Sequence, residues 1–226
     1  MSVLRLVVFD VDGTLVDSQA HIWAAMERAF ASIGHSPPPR PSVLGIVGLS
    51  LPVAMARLAP DMPDRIEDLV AAYKAAFAAL RQDDDGALLS PLFPGARDCL
   101  EALAADPWTL LGIATGKSRR GLDHLFELHG FGGLFQTVQV ADDHPSKPHP
   151  AMLEACLRET GADEARSVIV GDTTFDMEMG RAAGFRTVGV NWGYHAADAL
   201  RAAGADTLIG EFSALPSAIE TVLQGP

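Results

Sequence analysis

The feature that most constrains the fold is a repeated alternation of short apolar runs with helical segments. Six runs rich in β-branched residues predict buried strands: residues 4–9, 109–114, 137–140, 167–170, 187–190 and 206–209. Beyond residue 93, helix-like segments separate consecutive runs, which is the pattern of βαβ units. The chain is therefore predicted to adopt an α/β fold in which helices cover both faces of a parallel sheet.

Residues 18–86 interrupt this alternation because they contain no strand-like run. Their apolar residues recur at helical spacing in three segments, 19–33, 50–58 and 64–81. Gly34 and the proline-rich stretch that follows it are expected to end the first of these helices. A polar Asp-rich stretch ending at Gly86 closes the region.

This insertion suggests two structural units. Residues 1–17 and 87–226 are predicted to form a Rossmann-like α/β core domain with a parallel sheet and helices on both faces. Residues 18–86 are predicted to form an inserted helical cap domain. A length of 226 residues suits a core of ordinary size that carries such an insertion.

The acidic charge balance argues against a nucleic acid partner. The net charge of −12 repels phosphodiester backbones, and the sequence contains no stripe of basic residues with interleaved aromatic residues. A small anionic substrate is still compatible with this charge, because a bound cation and a few basic side chains set the local field.

Composition also bears on the expected location of the protein. The apolar runs are too short to cross a membrane, and no secretory signal precedes the first predicted strand, so we expect a cytoplasmic protein. Cys99 and Cys156 lie in apolar helical segments without a nearby metal-ligand spacing. They are predicted to be reduced thiols in the core.

Two carboxylates stand one residue apart directly after the first apolar run. Asp10 and Asp12 precede Gly13, so both are expected at the carboxyl end of a strand that empties into a tight turn. Ligands of open parallel sheets bind beyond these strand ends. Two like charges this close are normally offset by a metal ion or divided between base and acid roles. The pair alone is also compatible with a solvated acidic turn.

Two later loops carry groups that suit an anion. Thr115 and Gly116 follow the run at 109–114, where a hydroxyl and backbone amides meet the start of a helix. The restricted backbone before Pro148 could aim the Lys147 ammonium at a phosphate. The plainer alternatives are a helix cap at Thr115 and a solvated loop lysine at Lys147.

Asp172 repeats the opening pattern, since it follows the run at 167–170 through a single glycine. Hard oxygen ligands from Asp10 and Asp172, completed by water and substrate phosphate, fit Mg²⁺ better than zinc because neither His nor Cys is involved. Asp176 could orient Asp172 or hold a metal-bound water. Its alternative role is that of an acid favoured at a helix start.

Four motifs together resemble those of the haloacid dehalogenase superfamily. They are DVDGTLVDS at 10–18, ATGK at 114–117, SKP at 146–148 and GDTTFD at 171–176. Their order and approximate spacing are similar to the family's, and the resemblance spans almost the whole chain. It implies an enzyme that transfers a phosphoryl group from a small phosphorylated metabolite.

The resemblance also implies a role for each motif residue. By similarity, Asp10 is the nucleophile that forms an aspartyl-phosphate, and Asp12 protonates the leaving alcohol and then deprotonates water. Mg²⁺ is expected to be held by Asp10, the backbone carbonyl of Asp12 and Asp172, with Asp176 supporting the site from behind. The implied phosphate-binding residues are Thr115, Gly116 and Lys147.

Asp12 distinguishes this chain from true dehalogenases, which lack an acid there, and so implies a phosphatase. The position of the cap is similar to that of the C1-cap group, and phosphoglycolate is the leading substrate expectation. Trp192 and Tyr194 resemble that branch but could equally be packing residues.

Several alternatives stay open. A phosphomutase would use Arg40 or Arg57 of the cap, a phosphonatase would need Lys74 as a Schiff-base lysine, and a pyrophosphatase or a non-catalytic phosphate-binding protein are further possibilities. The candidate specificity residues of the cap cannot be ranked from the sequence: His21, Gly48, Ser50 and Arg57. The sequence does not predict whether the protein is a monomer or a homodimer.

Overall fold

A computed structural model describes residues 4–83 and 90–225, and its centre is a parallel sheet. The strands are β1 (Arg5–Phe9), β2 (Thr109–Thr115), β3 (Thr137–Val140), β4 (Ser167–Gly171), β5 (Arg186–Val190) and β6 (Thr207–Ile209). Their order in the sheet is β3-β2-β1-β4-β5-β6, and every neighbouring pair is parallel. The predicted α/β fold is confirmed, and each strand begins and ends within one residue of its predicted bounds.

Ten α-helices occur in the described residues: α1 (Gln19–Ser32), α2 (Arg40–Leu44), α3 (Leu51–Leu58), α4 (Ile66–Asp83), α5 (Ala96–Ala104), α6 (Arg119–His129), α7 (Ala151–Thr160), α8 (Thr174–Ala182), α9 (Ala197–Ala202) and α10 (Leu215–Gln224). Three short 3₁₀ segments add to them: Pro63–Arg65, Glu164–Arg166 and Phe212–Ala214.

Side chains of β1 alternate between two apolar layers, as the period of a strand requires. Val7 and Phe9 belong to a cluster that includes Leu100 of α5 and Ile219 of α10. The other face of the sheet forms a second cluster. Its residues include Leu6 and Val8 of β1, Met152 and Cys156 of α7, and Met179 of α8. The sheet is therefore buried on both sides, which explains why its strands read as nearly continuous apolar runs.

The described part of the inserted segment is helical and has an apolar cluster of its own. Met26 and Phe30 of α1 pack with Met55 of α3 and Leu69 of α4. The Asp-rich end of this segment, residues 84–86, lies outside the described residues. The division of the chain at 17/18 and 86/87 stays a prediction.

One helix of this segment was not predicted. The proline-rich stretch after Gly34 was expected only to break the chain, yet α2 begins at Arg40 with Pro41 in its first turn. Proline is tolerated there because the first amides of a helix have no intrahelical acceptor. The prolines therefore separate two helices and also start the second one.

Both cysteines are buried and free, as predicted. Within residues 4–83 and 90–225, no helix combines the length and apolar character that crossing a membrane requires. The cytoplasmic location stays a prediction.

The strand order brings the candidate site residues to one edge of the sheet. Because β1 lies between β2 and β4, the residues at their carboxyl ends are neighbours. Asp10 directly follows β1, Thr115 ends β2 and Asp172 directly follows β4. The parallel arrangement thus places residues more than 150 positions apart in sequence beside one another.

The packing of α5 on the sheet can be tested at Leu100, which is fully buried. We expect Leu100→Ala to lower the free energy of unfolding by about 3 kcal/mol, because it removes apolar contacts and leaves a cavity. The matched control is Leu128→Ala on α6, where the side chain is 36% exposed and the expected loss is below about 1 kcal/mol. Urea denaturation followed by circular dichroism measures both, and equal losses would contradict this account of the core.

Candidate active site

A buried ion cluster links three separate parts of the chain. The Lys147 ammonium lies 2.7 Å from Asp10 Oδ1 and 2.6 Å from Asp176 Oδ1, so it donates to both carboxylates. All three side chains are at most 1% exposed. The structure therefore excludes a solvated loop lysine at Lys147.

Asp176 is held by two sets of contacts. Its Oδ1 accepts from Lys147, while its Oδ2 accepts from the backbone N–H and the hydroxyl of Thr173. Thr173 in turn accepts from the Asp176 backbone N–H, which completes a capping box at the start of α8. Asp176 thus has the structural role of a helix-start acid and also faces the ion cluster.

Asp172 is fully buried and positioned by neighbours from both ends of the chain. Its Oδ1 accepts from the Thr14 hydroxyl at 2.9 Å, and its Oδ2 accepts from the Tyr194 backbone N–H at 2.9 Å. Gly13 and Gly193 approach it so closely that a Cβ on either would collide with its side chain. Gly13 also has a φ of +85°, which disfavours any other residue.

The cluster carries more negative charge than its lysine can neutralise. Burial raises the pKa of Asp10 to about 7, against the lowering effect of Lys147, and the Asp176 charge raises it further. Burial together with Asp10 and Asp176 raises the pKa of Asp172 well above its usual range. For Lys147, burial lowers the pKa, but the two carboxylates outweigh this and raise it. A further cation in the cluster would relieve this excess of negative charge.

The donor set fits a hard divalent cation. Asp10, Asp172 and Asp176 each offer a carboxylate oxygen, and these oxygens lie within 4.8 Å of one another. Asp10 Oδ2 is buried and has no hydrogen-bond partner among the described residues. An unpaired carboxylate oxygen at this depth is costly, and oxygen-only ligands suit Mg²⁺. The Asp12 side chain does not belong to the group, although its backbone carbonyl was the predicted ligand.

Asp12 turns away from Asp10 despite the short separation in sequence. Its carboxylate accepts from the Lys117 ammonium at 2.7 and 2.8 Å, and from the Ser18 hydroxyl. The Tyr194 hydroxyl lies 3.2 Å from the Ser18 hydroxyl and extends this network. The expected pair of adjacent carboxylates is therefore divided between two environments.

The loop after β2 brings the core against the inserted helices. The Thr115 side chain is 1% exposed, and its hydroxyl accepts from the Lys117 N–H at 3.2 Å. A Cβ at Gly116 would lie within 2.8 Å of the backbone of Gly48 and Leu49. Main chain thus touches main chain at this point. The Ser50 N–H adds a 2.9 Å hydrogen bond to the Ser146 hydroxyl.

A cavity of about 560 Å³ lies between the inserted helices and the core. Asp12, Gly116 and Lys117 line its core side. The opposite wall is formed mainly by apolar residues of α1, the segment before α3, and α4. Asp12 therefore faces a closed space of the size that holds small ligands.

The structure ranks the cap candidates that the sequence could not. Gly48 and Ser50 line the cavity, as does Lys74, whose side chain is exposed. Arg57 instead lies over the Phe175 ring at 5.2 Å and is not among the lining residues. Arg40 is also outside the lining, and its guanidinium donates to the Gln19 side chain at 3.0 Å.

His21 is buried behind the cavity wall. Its ring stacks on Phe77 with centroids 3.6 Å apart, and its Nε2 donates to the Phe77 carbonyl at 3.1 Å. Lys117 Nζ lies 5.3 Å from the centre of the same Phe77 ring. His21 therefore supports a wall residue and does not itself line the cavity.

Trp192 and Tyr194 have both structural and site roles. Trp192 packs against Phe212 with ring centroids 4.7 Å apart, and its Nε1 donates to the Thr14 carbonyl at 3.1 Å. Tyr194 reaches the site through its backbone N–H and its hydroxyl.

Three contributors were not assigned a role from the sequence: Lys117, Thr14 and Ser18. Lys117 and Thr14 lie inside motifs, next to residues with assigned roles. The available signal was therefore their position at a strand end. Their partners, Asp12 and Asp172, could not be identified without the three-dimensional structure.

Comparison with known proteins gives a family match over most of the chain. The Haloacid dehalogenase-like hydrolase family matches residues 7–190. A probable phosphatase, IndB, from Dickeya dadantii is 34% identical over 97% of this chain and 95% of its own length. A phosphoglycolate phosphatase from Pseudomonas fluorescens is 32% identical over 84% of this chain and 71% of its own length.

A solved structure of a haloacid dehalogenase-like family hydrolase from Streptococcus pneumoniae has a similar fold. Its TM-score is 0.82 at 24% identity, and the match covers 96% of this chain and 99% of that one.

The buried His21 should make stability depend on pH. Burial, with the charges of Lys117 and Arg81, lowers the pKa of His21 to about 4, against the raising effect of the Phe77 carbonyl. The unfolded chain therefore binds a proton below about pH 6.5 that the folded chain refuses, so stability is lost as pH falls from 6.5 towards 4.

We expect the unfolding free energy of the wild type to fall by about 2 kcal/mol more than that of His21→Gln between pH 7 and pH 4.5. Carboxylates contribute equally to both proteins and cancel in the difference. Urea unfolding at each pH provides the measurement, and parallel pH profiles would contradict the neutral buried His21.

Proposed function

Because this chain belongs to the haloacid dehalogenase-like hydrolase family, as its four motifs predicted, we propose that it hydrolyses a small phosphomonoester through an aspartyl-phosphate. The predicted enzyme class is confirmed: the matching family is one of hydrolases, and the two relatives described above are phosphatases. The observation that carries the proposed mechanism is the division of Asp10 and Asp12 between two environments.

Asp10 is suited to attack phosphorus. Lys147 fixes its Oδ1, and its other carboxylate oxygen has no partner in the described part of the chain. In the proposed first step, Asp10 forms a bond to phosphorus while the bond from phosphorus to the ester oxygen breaks. Lys147, the Thr115 hydroxyl and the backbone around Gly116 would stabilise the phosphoryl oxygens.

Asp12 is suited to manage protons because it faces the cavity. In the proposal it donates a proton to the leaving oxygen in the first step. It then accepts a proton from the water that attacks the aspartyl-phosphate, which releases inorganic phosphate and restores Asp10. Lys117 and Ser18 hold its carboxylate at the cavity side of the site.

Mg²⁺ is the proposed cofactor, held by Asp10, Asp172 and the backbone carbonyl of Asp12, with Asp176 behind them. When bound, the ion supplies positive charge that orients and neutralises the phosphoryl group. Thr14 and the Tyr194 N–H keep Asp172 aimed at this position.

Substrate entry requires movement of the inserted helices, since Asp10 is 1% exposed. Contacts such as those of Gly116 with Gly48 would break on opening and reform on closure, which excludes water from the site. Phosphoglycolate is a candidate substrate, supported by the Pseudomonas fluorescens relative. Neither arginine proposed for a mutase lines the cavity, so the structure provides no support for that alternative.

Removal of the nucleophile is the direct test. We expect Asp10→Asn to lower the release of inorganic phosphate by at least about a thousandfold, because the amide keeps the shape but cannot attack phosphorus. Phosphate release from a panel of phosphomonoesters with Mg²⁺ provides the measurement. The control is Asp198→Asn, whose side chain is 97% exposed and which should keep full activity. Turnover that persists in folded Asp10→Asn would sink the proposed mechanism.

Metal binding can be tested without turnover. At a Mg²⁺ concentration about a hundredfold above its Kd, the melting temperature of the wild type should rise by roughly 5–10 °C relative to EDTA. Asp172→Asn removes one ligand charge and should lose most of this shift, whereas Asp198→Asn should keep it. An equal shift in all three proteins would place the ion elsewhere.

A further inference from the structure

The cavity is larger and more apolar than a two-carbon substrate requires. Its volume of about 560 Å³ lies within the range of roughly 300–1,000 Å³ that is typical of pockets for much larger ligands. Ile22, Met26, Leu49, Tyr73 and Phe77 contribute to its wall. A leaving group that occupies this space needs apolar surface to replace the water that closure expels.

The rim of the same cavity carries positive charge that the described residues do not neutralise. Its cations are Lys74, Arg81, Lys117 and Arg120, and its carboxylates are Asp12 and Asp142. Lys117 is paired with Asp12, and Asp142 accepts from the Arg119 N–H. Within residues 4–83 and 90–225, no carboxylate forms an ion pair with Lys74, Arg81 or Arg120.

Two of these cations lie close to one another on the far side of Phe77 from His21's supporting helix. The Arg81 guanidinium lies 5.7 Å from the Phe77 ring centre, and Lys117 lies 5.3 Å from it. Burial and the nearby charge of Arg120 lower the pKa of Arg81, so the two arginines repel each other. An anion between them would remove this repulsion and form charge-assisted hydrogen bonds.

We propose that the preferred substrate is a phosphomonoester whose leaving group is an apolar body about the size of one ring, with a second anionic group that binds Arg81 and Arg120. The apolar body packs against the wall that includes Tyr73 and Phe77. This inference rests on the proposed phosphatase function and specifies the substrate class of the same site. Phosphoglycolate has an anionic group but lacks the apolar body, so it fills little of the cavity.

The test compares kcat/KM for four esters with Mg²⁺: 4-carboxyphenyl phosphate, 4-(hydroxymethyl)phenyl phosphate, phenyl phosphate and phosphoglycolate. We expect 4-carboxyphenyl phosphate to exceed its neutral hydroxymethyl analogue and phosphoglycolate by about tenfold each. Arg81→Gln and Arg120→Gln should reduce its advantage over the hydroxymethyl analogue to near one. Arg158→Gln, on the exposed side of α7, is the matched control and should keep the wild-type ratio.

A binding measurement separates this inference from the proposed function. Calorimetry on Asp10→Asn with Mg²⁺ should show 4-carboxyphenyl phosphate binding about tenfold more tightly than phosphoglycolate. If nothing is turned over but this binding preference is present, the substrate class stands and the hydrolytic function fails. If Asp10-dependent turnover is present but phosphoglycolate is equal or better in both assays, the substrate class is overturned and the phosphatase stands. If neither turnover nor preference is found, both are overturned.

Discussion

The buried contact of Lys147 with Asp10 and Asp176 is the interaction on which the site depends. Each of the three residues comes from a different part of the core: the loop after β3, the end of β1 and the first turn of α8. Burying carboxylates without a partner is strongly unfavourable, so the lysine compensates much of the cost that the sheet imposes on its own strand ends. The fold and the proposed chemistry therefore rest on the same contact, and correct folding of the sheet assembles the site.

The separation of Asp10 from Asp12 shows how one short turn creates two chemical environments. Residues two positions apart in an extended chain would point the same way, but the turn at Gly13 sends them to different partners. Asp10 is enclosed with the other carboxylates of the ion cluster, whereas Asp12 meets the cavity beside Lys117. A nucleophile benefits from enclosure, and a proton carrier needs access to the leaving oxygen. The geometry gives each residue the surroundings that its proposed role requires.

The sheet and the positions of the main site residues could be predicted because they follow from local patterns. A run such as 167–170 has one interpretation as a strand, and parallel strands place their carboxyl ends at one edge, which brings Asp10 and Asp172 together. The partners of Asp12 could not be predicted, because Lys117 is 105 residues away and its direction depends on packing against Phe77. Helix α2 was missed for a local reason, since proline is compatible both with a break and with a first helical turn.

The meeting of Gly116 with Gly48 has an evolutionary consequence. Where two backbones touch without side chains between them, the distance at which the inserted helices stop is set by main-chain atoms that substitutions elsewhere do not alter. Exchanges along the wall, at Ile22 or Tyr73 for example, can reshape the cavity while the closing distance stays the same. Descendants of this protein could thus acquire new substrates one side chain at a time, with the reacting groups kept in register throughout.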